Sequence, residues 1–392
     1  MAEKPIYLDY NATTPIDPGV REAMLPYLEE YFGNPSSSYV YGQQTKEAVA
    51  IARGQVARLI GATLDEIVFT SGGSESDNQA IIGTALANWE KGNHIITSRI
   101  EHPAVLNTCR YLEERLGFRI TYLPVDKYGL VDPEDVRRAI TIDTILITIM
   151  HANNEVGTIE PIDEIGKIAQ ESKILFHTDA AQSCGKIAVD VNQLNVDLLT
   201  IAGHKLYAPK GLGALFVRNG IKIDSLIHGA GQERGKRAGT ENVPYMVGLG
   251  AACEIAENLL ATYQKEVKFL KDRLHASIEA GLGKDAVRLN GHPERRLPNT
   301  LNISLRGVVG EELLSQIPEI AASTGAACHA VSTEPSSVLL EMGLSREWAL
   351  GALRLTLGRW TTSEETNVAS KLIVERARRF ATKNAGATYR RR

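Results

Sequence analysis

Asp179 and Lys205 each close an apolar run of strand type, and they lie 26 residues apart. Asp179 stands in Thr178-Asp179-Ala180-Ala181-Gln182, and Lys205 ends Ala202-Gly203-His204-Lys205. In open α/β sheets, ligand groups gather at the carboxyl ends of strands. A carboxylate there can hold a pyridinium nitrogen protonated and make a pyridine ring an electron sink. A lysine in a tight turn can form a Schiff base with an aldehyde cofactor. Taken singly, each residue is ordinary. An aspartate after a strand is usually a turn or cap residue, and a lysine is usually solvated. The spacing is what speaks for chemistry, because it sets an acid and an amine on neighbouring strand ends.

Thr70-Ser71-Gly72-Gly73-Ser74-Glu75-Ser76 runs from a strand through glycines into a helix. Backbone N–H groups at a helix start favour a phosphate, and glycines permit close approach. The stretch lacks the lysine of a P-loop, and no GxGxxG occurs in a suitable βαβ setting, which disfavours ATP and NAD. His102 follows the run to Ile100, and His151-Ala152-Asn153-Asn154-Glu155 follows the run 145–150. Polar groups thus close four strand-like runs in succession.

These ends need a sheet to hold them. Short apolar runs at 66–70, 94–98, 119–123, 144–150, 174–178, 197–201 and 211–217 alternate with helical patterns at 78–89, 105–116, 133–140 and 162–171. Capping and proline signals such as Asp132-Pro133 and Pro161 precede some of the helices. The alternation predicts an α/β fold with a mostly parallel sheet covered on both faces. A long helical pattern at 243–281 leads to an α+β region with a strand at 299–304 and a last helix from about 363 to 382. The expected division is a large domain of residues 16–260, with 1–15 and 261–392 forming a smaller one.

Composition narrows the function. The 392 residues are 43% hydrophobic and 23% charged, with a net charge of -4, as in ordinary globular proteins. That balance gives no reason to expect nucleic acid as a partner. No apolar run approaches a membrane span of about 18 residues, and Met1-Ala2-Glu3-Lys4-Pro5 has no secretory character. The four cysteines (Cys109, Cys184, Cys253, Cys328) form no CxxC pair. Such usage suits a reducing cytoplasm, argues against structural zinc, and leaves room for one reactive thiol. Cys109, Cys184 and Cys253 read as small buried apolar residues. Cys328 lies in the small-residue stretch Ala321-Ala-Ser-Thr-Gly-Ala-Ala-Cys328-His329, which has neither a helical nor a strand stripe. A loop of that composition can carry a thiol to a substrate.

An ordered set of motifs covers nearly the whole chain: Asp9-Tyr-Asn11-Ala-Thr-Thr-Pro15, Phe32-Gly-Asn34-Pro35, the Gly73–Ser76 turn, Glu101-His102-Pro103, His151-Ala-Asn153-Asn154-Glu155, Asp179-Ala-Ala-Gln182, Gly203-His204-Lys205, Arg237-Ala-Gly-Thr240 and the Cys328 loop. In this order they resemble the cysteine desulfurases, fold-type I pyridoxal-phosphate (PLP) enzymes of the class V aminotransferase group. The resemblance implies a seven-stranded-type sheet and PLP carried on Lys205. His102 would stack on the ring and Asp179 would pair with its nitrogen. Asn153 and Gln182 would address the ring side, Gln182 at the phenolic oxygen. Gly73, Ser74 and His204 would hold the phosphate, with Thr240 supplied by the second subunit of a homodimer. Asn11, Asn153 and Arg354 would bind substrate, Arg354 gripping its carboxylate through a bidentate guanidinium. Arg359 has the weaker claim to that task. The implied reaction takes sulfur from L-cysteine onto Cys328, leaves alanine, and passes the persulfide to an acceptor such as an iron–sulfur scaffold.

Two positions depart from the family pattern. Ala202 stands where a serine is common, removing one phosphate hydroxyl, and the Cys328 loop reads Ser-Thr-Gly-Ala-Ala-Cys-His. Both are similar to the selenocysteine lyases, so L-selenocysteine is the alternative substrate. Another class V aminotransferase or β-lyase, which would not depend on Cys328, and a catalytically silent sulfur-relay scaffold are further alternatives. The intact Asp179, Lys205 and Cys328 argue against the last.

Overall fold

The computed structural model describes residues 4–325 and 334–389, with side chains described as far as residue 380. Elements β1 (Ile6–Tyr7), α1 (Pro18–Glu29), α2 (Val40–Leu59), β2 (Ile67–Thr70), α3 (Gly73–Ala87), β3 (His94–Ser98) and α4 (Pro103–Leu116) come first. Then follow β4 (Arg119–Leu123), α5 (Pro133–Ala139), β5 (Thr144–Thr148), α6 (Ile162–Ser172), β6 (Leu175–Asp179), β7 (Leu198–Ala202) and β8 (Gly213–Val217). The remainder is α7 (Val243–Leu282), β9 (Val287–Leu289), β10 (Thr300–Leu305), α8 (Gly310–Ser315), β11 (Ile320–Ala321), α9 (Ser337–Glu341), α10 (Arg346–Leu350), β12 (Ala352–Thr356) and α11 (Ser363–Tyr389).

Seven strands form the main sheet in the order β2-β8-β7-β6-β5-β3-β4. It is parallel from β7 to β4, and β8 runs antiparallel to both β7 and β2. This is the mostly parallel α/β sheet expected from the alternation of runs. Five of its seven strands are buried along their whole length, as a sheet with both faces covered requires. Because β2, β3, β5, β6 and β7 share one direction, their carboxyl ends lie along one edge.

Helix α7 ties two apolar cores together. At about 1.5 Å per residue, its 40 residues reach roughly 60 Å. Its first half buries Val243, Met246, Leu249, Ala252 and Cys253 against the main sheet. Its second half buries Tyr263, Val267, Leu274 and Ile278 in another core with β10 and β12 residues, such as Leu301, Ile303, Leu353 and Leu355. There β12, β10 and β9 form an antiparallel sheet, and β1 pairs in parallel with β11.

Several boundaries differ from the sequence reading. Helix α3 begins at Gly73 rather than near 78, because the glycine turn itself opens the helix. Helix α11 runs on to Tyr389. Helices α1 and α2 are additional to the sequence pattern above, and Asp17-Pro18 is the same start signal as Asp132-Pro133: the Asp17 side chain accepts from the Gly19 N–H.

Candidate active site

A cavity of about 1000 Å³ opens along the carboxyl edge of the main sheet. The β3 end contributes Glu101 and His102, the β5 end Met150, the β6 end Asp179 and Gln182, and the β7 end Ala202, His204 and Lys205. The start of α3 adds Gly72, Gly73 and Ser74, and β12 adds Arg354.

Lys205 sits in the turn that leaves β7. Its Nζ donates to the main-chain carbonyls of Asn11 and of Ala12, the latter at 2.7 Å. Asp179 is the last residue of β6 and is buried. Its Oδ1 accepts the Ala181 N–H at 2.9 Å. Burial pushes this carboxyl above its usual range, opposed by the charges of His102 and Lys205. An acid in that position favours an opposing cation.

His102 is the N-cap of α4, its Nδ1 accepting the Ala104 N–H at 3.1 Å. That bond fixes the ring and leaves Nε2 to carry the proton of the neutral form. Burial lowers its pKa, as does Lys205, while Asp179 raises it. His204 faces Thr13 Oγ1 at 3.2 Å through Nδ1, and burial with neighbouring lysines brings it down to about 4. Both rings are therefore neutral near pH 7.

At the start of α3, Gly72 has φ 153° and ψ -179°. This region is open essentially to glycine alone. The first N–H groups of the helix have no partner within it, and Gly73 and Ser74, which carry two of them, line the cavity. Fifteen residues of helix stand behind them, so the corner favours an anion. The Ala202 Cβ comes within 3.2 Å of where a Cβ on Gly73 would lie, so the glycine lets strand end and helix start meet.

Across the cavity, Arg354 is buried on β12. Its Nη2 donates to Asp9 Oδ1 at 2.8 Å, and Nη1 reaches the Asn154 carbonyl at 3.4 Å. Its Nε has no partner among the described residues. A clamped guanidinium with a buried donor to spare suits a carboxylate.

Glu101 is a further buried acid of the wall. Its Oε1 accepts from Ser98 Oγ at 2.6 Å and from the Met150 N–H at 3.0 Å, whereas Oε2 has no partner among the described residues. Burial raises its pKa from the model-compound value of 4.5 to about 8, helped by Asp179. The folded chain therefore holds a proton here that the unfolded chain releases, so this residue's contribution to stability falls as pH rises between those two values. Glu101→Gln keeps the acceptor and removes the ionisation. Its melting temperature, relative to the wild type, is expected to rise as pH goes from about 5 to about 8. A difference that stays constant with pH would contradict a proton at Glu101.

The aminotransferase class-V family model matches residues 6–368. The cysteine desulfurase IscS of Methanosarcina thermophila is 53% identical over 374 residues, covering 95% of this chain and 92% of that protein. The cysteine desulfurase IscS of Dictyoglomus turgidum is 51% identical over 367 residues, covering 93% and 92%. The chain belongs to the cysteine desulfurase family, within the class V aminotransferases. Among solved structures, a NifS-like protein superposes with a TM-score of 0.89 at 38% identity, covering 95% of this chain and 98% of the other. A structure titled SspA in complex with cysteine gives 0.80 at 39% identity, covering 91% and 99%.

Not every residue that the desulfurase resemblance points to lies on the wall. Asn153 is fully buried and is not among the lining residues. Its Oδ1 accepts from the N–H groups of Glu155 and Val156, and its Nδ2 donates to the Ile100 carbonyl. The turn consumes the first asparagine of the pair, and the neighbouring Asn154 lines the cavity instead. Asn11 lines it too, but its side chain is fully engaged. Nδ2 donates to Thr300 Oγ1 and the Asn154 carbonyl, and Oδ1 accepts from Asn299 and Lys186. What Asn11 offers Lys205 is its main-chain carbonyl.

Thr240 is exposed and does not line the cavity of its own chain. Arg359 pairs with Asp17 at 3.1 Å and lies over the Tyr207 ring, away from the cavity. Cys328 lies outside the described residues. Gly325 and Glu334–Val338, on either side of it in sequence, line the cavity. Cys109, Cys184 and Cys253 are buried, and burial pushes all three thiols well up. Among the described residues, no group of three or more His, Cys, Asp or Glu could hold a metal, and no helix is long and apolar enough to cross a membrane.

Proposed function

We propose that this chain is a PLP-dependent cysteine desulfurase whose cofactor lies in the cavity at the sheet edge. The observation that carries this reading is that Lys205, Asp179, His102, the α3 start and Arg354 line one cavity. The donor set fits the group. Lys205 would hold its aldehyde carbon, Asp179 would face its ring nitrogen, and His102 would cover a ring face. The Gly73 and Ser74 N–H groups and His204 would hold its phosphate, with Thr240 of the partner subunit reaching across in a homodimer. The ring-side role expected of Asn153 falls better to Asn154, together with Gln182. Bound there, PLP supplies an electron sink that acidifies the substrate Cα–H.

The chain's own groups then have defined tasks. The Arg354 Nε and guanidinium edge hold the substrate carboxylate, and Asp9 keeps the guanidinium in place. The Lys205 amine, held at the Asn11 and Ala12 carbonyls, takes the Cα proton. The Cys328 thiolate attacks the substrate sulfur: an S–S bond forms and the Cβ–S bond breaks. The electron pair of that bond stays with the substrate carbon, which is protonated to give alanine. The persulfide on Cys328 passes to a sulfur acceptor, for which an iron–sulfur scaffold protein is the expected kind. The flanks of Cys328 on the cavity wall support this role.

Asp179→Asn tests the cofactor geometry. The variant should still bind PLP but no longer hold the ring nitrogen protonated, and turnover should fall on the order of 10³-fold or more. Turnover of cysteine to alanine near the wild-type rate would mean that another acid serves the ring.

A further inference from the structure

Lys186 has no task in the reaction above, yet it is a buried lysine within reach of the site. Gly185 before it has φ 71°, and a Cβ there would come within 2.1 Å of Leu206 Cδ1. The turn can therefore pass against the residue after Lys205 only with glycine at this point. The turn brings the Lys186 Nζ to 2.7 Å from Gln182 Oε1 and 3.1 Å from Asn11 Oδ1. Burial, with Lys205 and Arg354 nearby, holds its pKa well below that of an ordinary lysine. Among the described residues, no carboxylate bonds to it. Burying a lysine in this way costs stability, so an ion pair does not explain its presence.

Its bonds explain it better. Gln182 lines the cavity, and the two ends of its amide are nearly equal in shape but opposite in hydrogen bonding. Lys186 donates to one end, which makes that end Oε1. The other end lies 3.0 Å from the Asn11 carbonyl, which can only accept, so it is the Nε2 end. One Nε2 hydrogen goes to that carbonyl and the second remains for the cavity.

We propose that Lys186 is a positioning residue that holds the Gln182 amide with its N–H donor toward the cofactor's phenolic oxygen. This rests on PLP occupying the cavity. A donor there favours the ionised phenol, which absorbs in the visible, over the neutral phenol, which absorbs in the near ultraviolet. Without Lys186, Oε1 is left buried without its donor, and the Asn11 carbonyl alone holds the amide against turning.

The test uses PLP-loaded protein and reads the ratio of the two bands against pH, without substrate. Lys186→Met should lower the visible-to-ultraviolet ratio about fivefold, the factor one ordinary hydrogen bond carries. Gln182→Ala should lower it similarly, and adding Lys186→Met to Gln182→Ala should change little more. Lys186→Gln, which keeps an N–H donor but no charge, should lose less than Lys186→Met. An unchanged ratio in Lys186→Met would overturn the proposal. So would an equal effect of Lys186→Met in the Gln182→Ala background, since Lys186 would then act through its charge alone. A wild-type protein that takes up no PLP overturns the cofactor reading itself, a different failure that appears before any variant is made.

Discussion

Lys205→Ala is expected to abolish turnover of cysteine, because covalent attachment of the cofactor and the base for the Cα proton are lost together. Each contributes several orders of magnitude in rate, and one side chain supplies both. The native amine is held at the Asn11 and Ala12 carbonyls, so its removal also takes this donor from both. Added amines should restore only a small part of the rate, as they cannot be held at those carbonyls. Borohydride reduction of the PLP-loaded wild type followed by peptide mapping checks the assignment independently. The label is expected on Lys205, and a label on Lys186 or Lys210, the other lysines nearby in sequence, would contradict it.

Cys328→Ala should separate two substrates. Desulfuration of cysteine needs a nucleophile to take the sulfur, so that activity should collapse by on the order of 10³-fold or more. Selenium leaves more readily and its selenol is more acidic, so release of selenide from selenocysteine should persist. Cofactor absorbance should stay as in the wild type, since none of the ring or phosphate contacts proposed above comes from Cys328. Cysteine turnover that survives would point to a β-lyase instead. Loss of both activities, in a protein whose wild type strongly prefers selenocysteine, would make selenocysteine the natural substrate and Ala202 and His329 the meaningful departures. The relatives at about half identity named cysteine desulfurase speak for cysteine.

Much of the site was legible because it sits at strand ends. Asp179, His102, Lys205 and the Gly73 turn each follow an apolar run, and a parallel sheet must bring such ends to one edge. The groups that escaped were those whose role depends on the path of a turn. In Asn153-Asn154, side-chain bonds to the next N–H groups take up the first asparagine, and composition does not distinguish the two. Asp9, which clamps Arg354, is 345 residues away in sequence. Lys186 carried a readable signal, a lysine four residues after Gln182 with a glycine between them. The turn through Gly185 is what brings the two side chains together. Glu101 looked like a neighbour of His102, and only its buried, unpartnered Oε2 marks it as an acid holding a proton. The helices α1 and α2 carry start signals or apolar periodicity but none of the chemistry-bearing residues.

The most direct test is a single turnover of PLP-loaded protein with L-cysteine in the absence of any thiol acceptor, counting alanine and mapping protein-bound persulfide by mass. One alanine for each persulfide, with the persulfide on Cys328, is the expected result. Alanine formed with elemental sulfur and no persulfide on Cys328, or free sulfide with pyruvate and ammonia in place of alanine, would contradict desulfuration through this thiol.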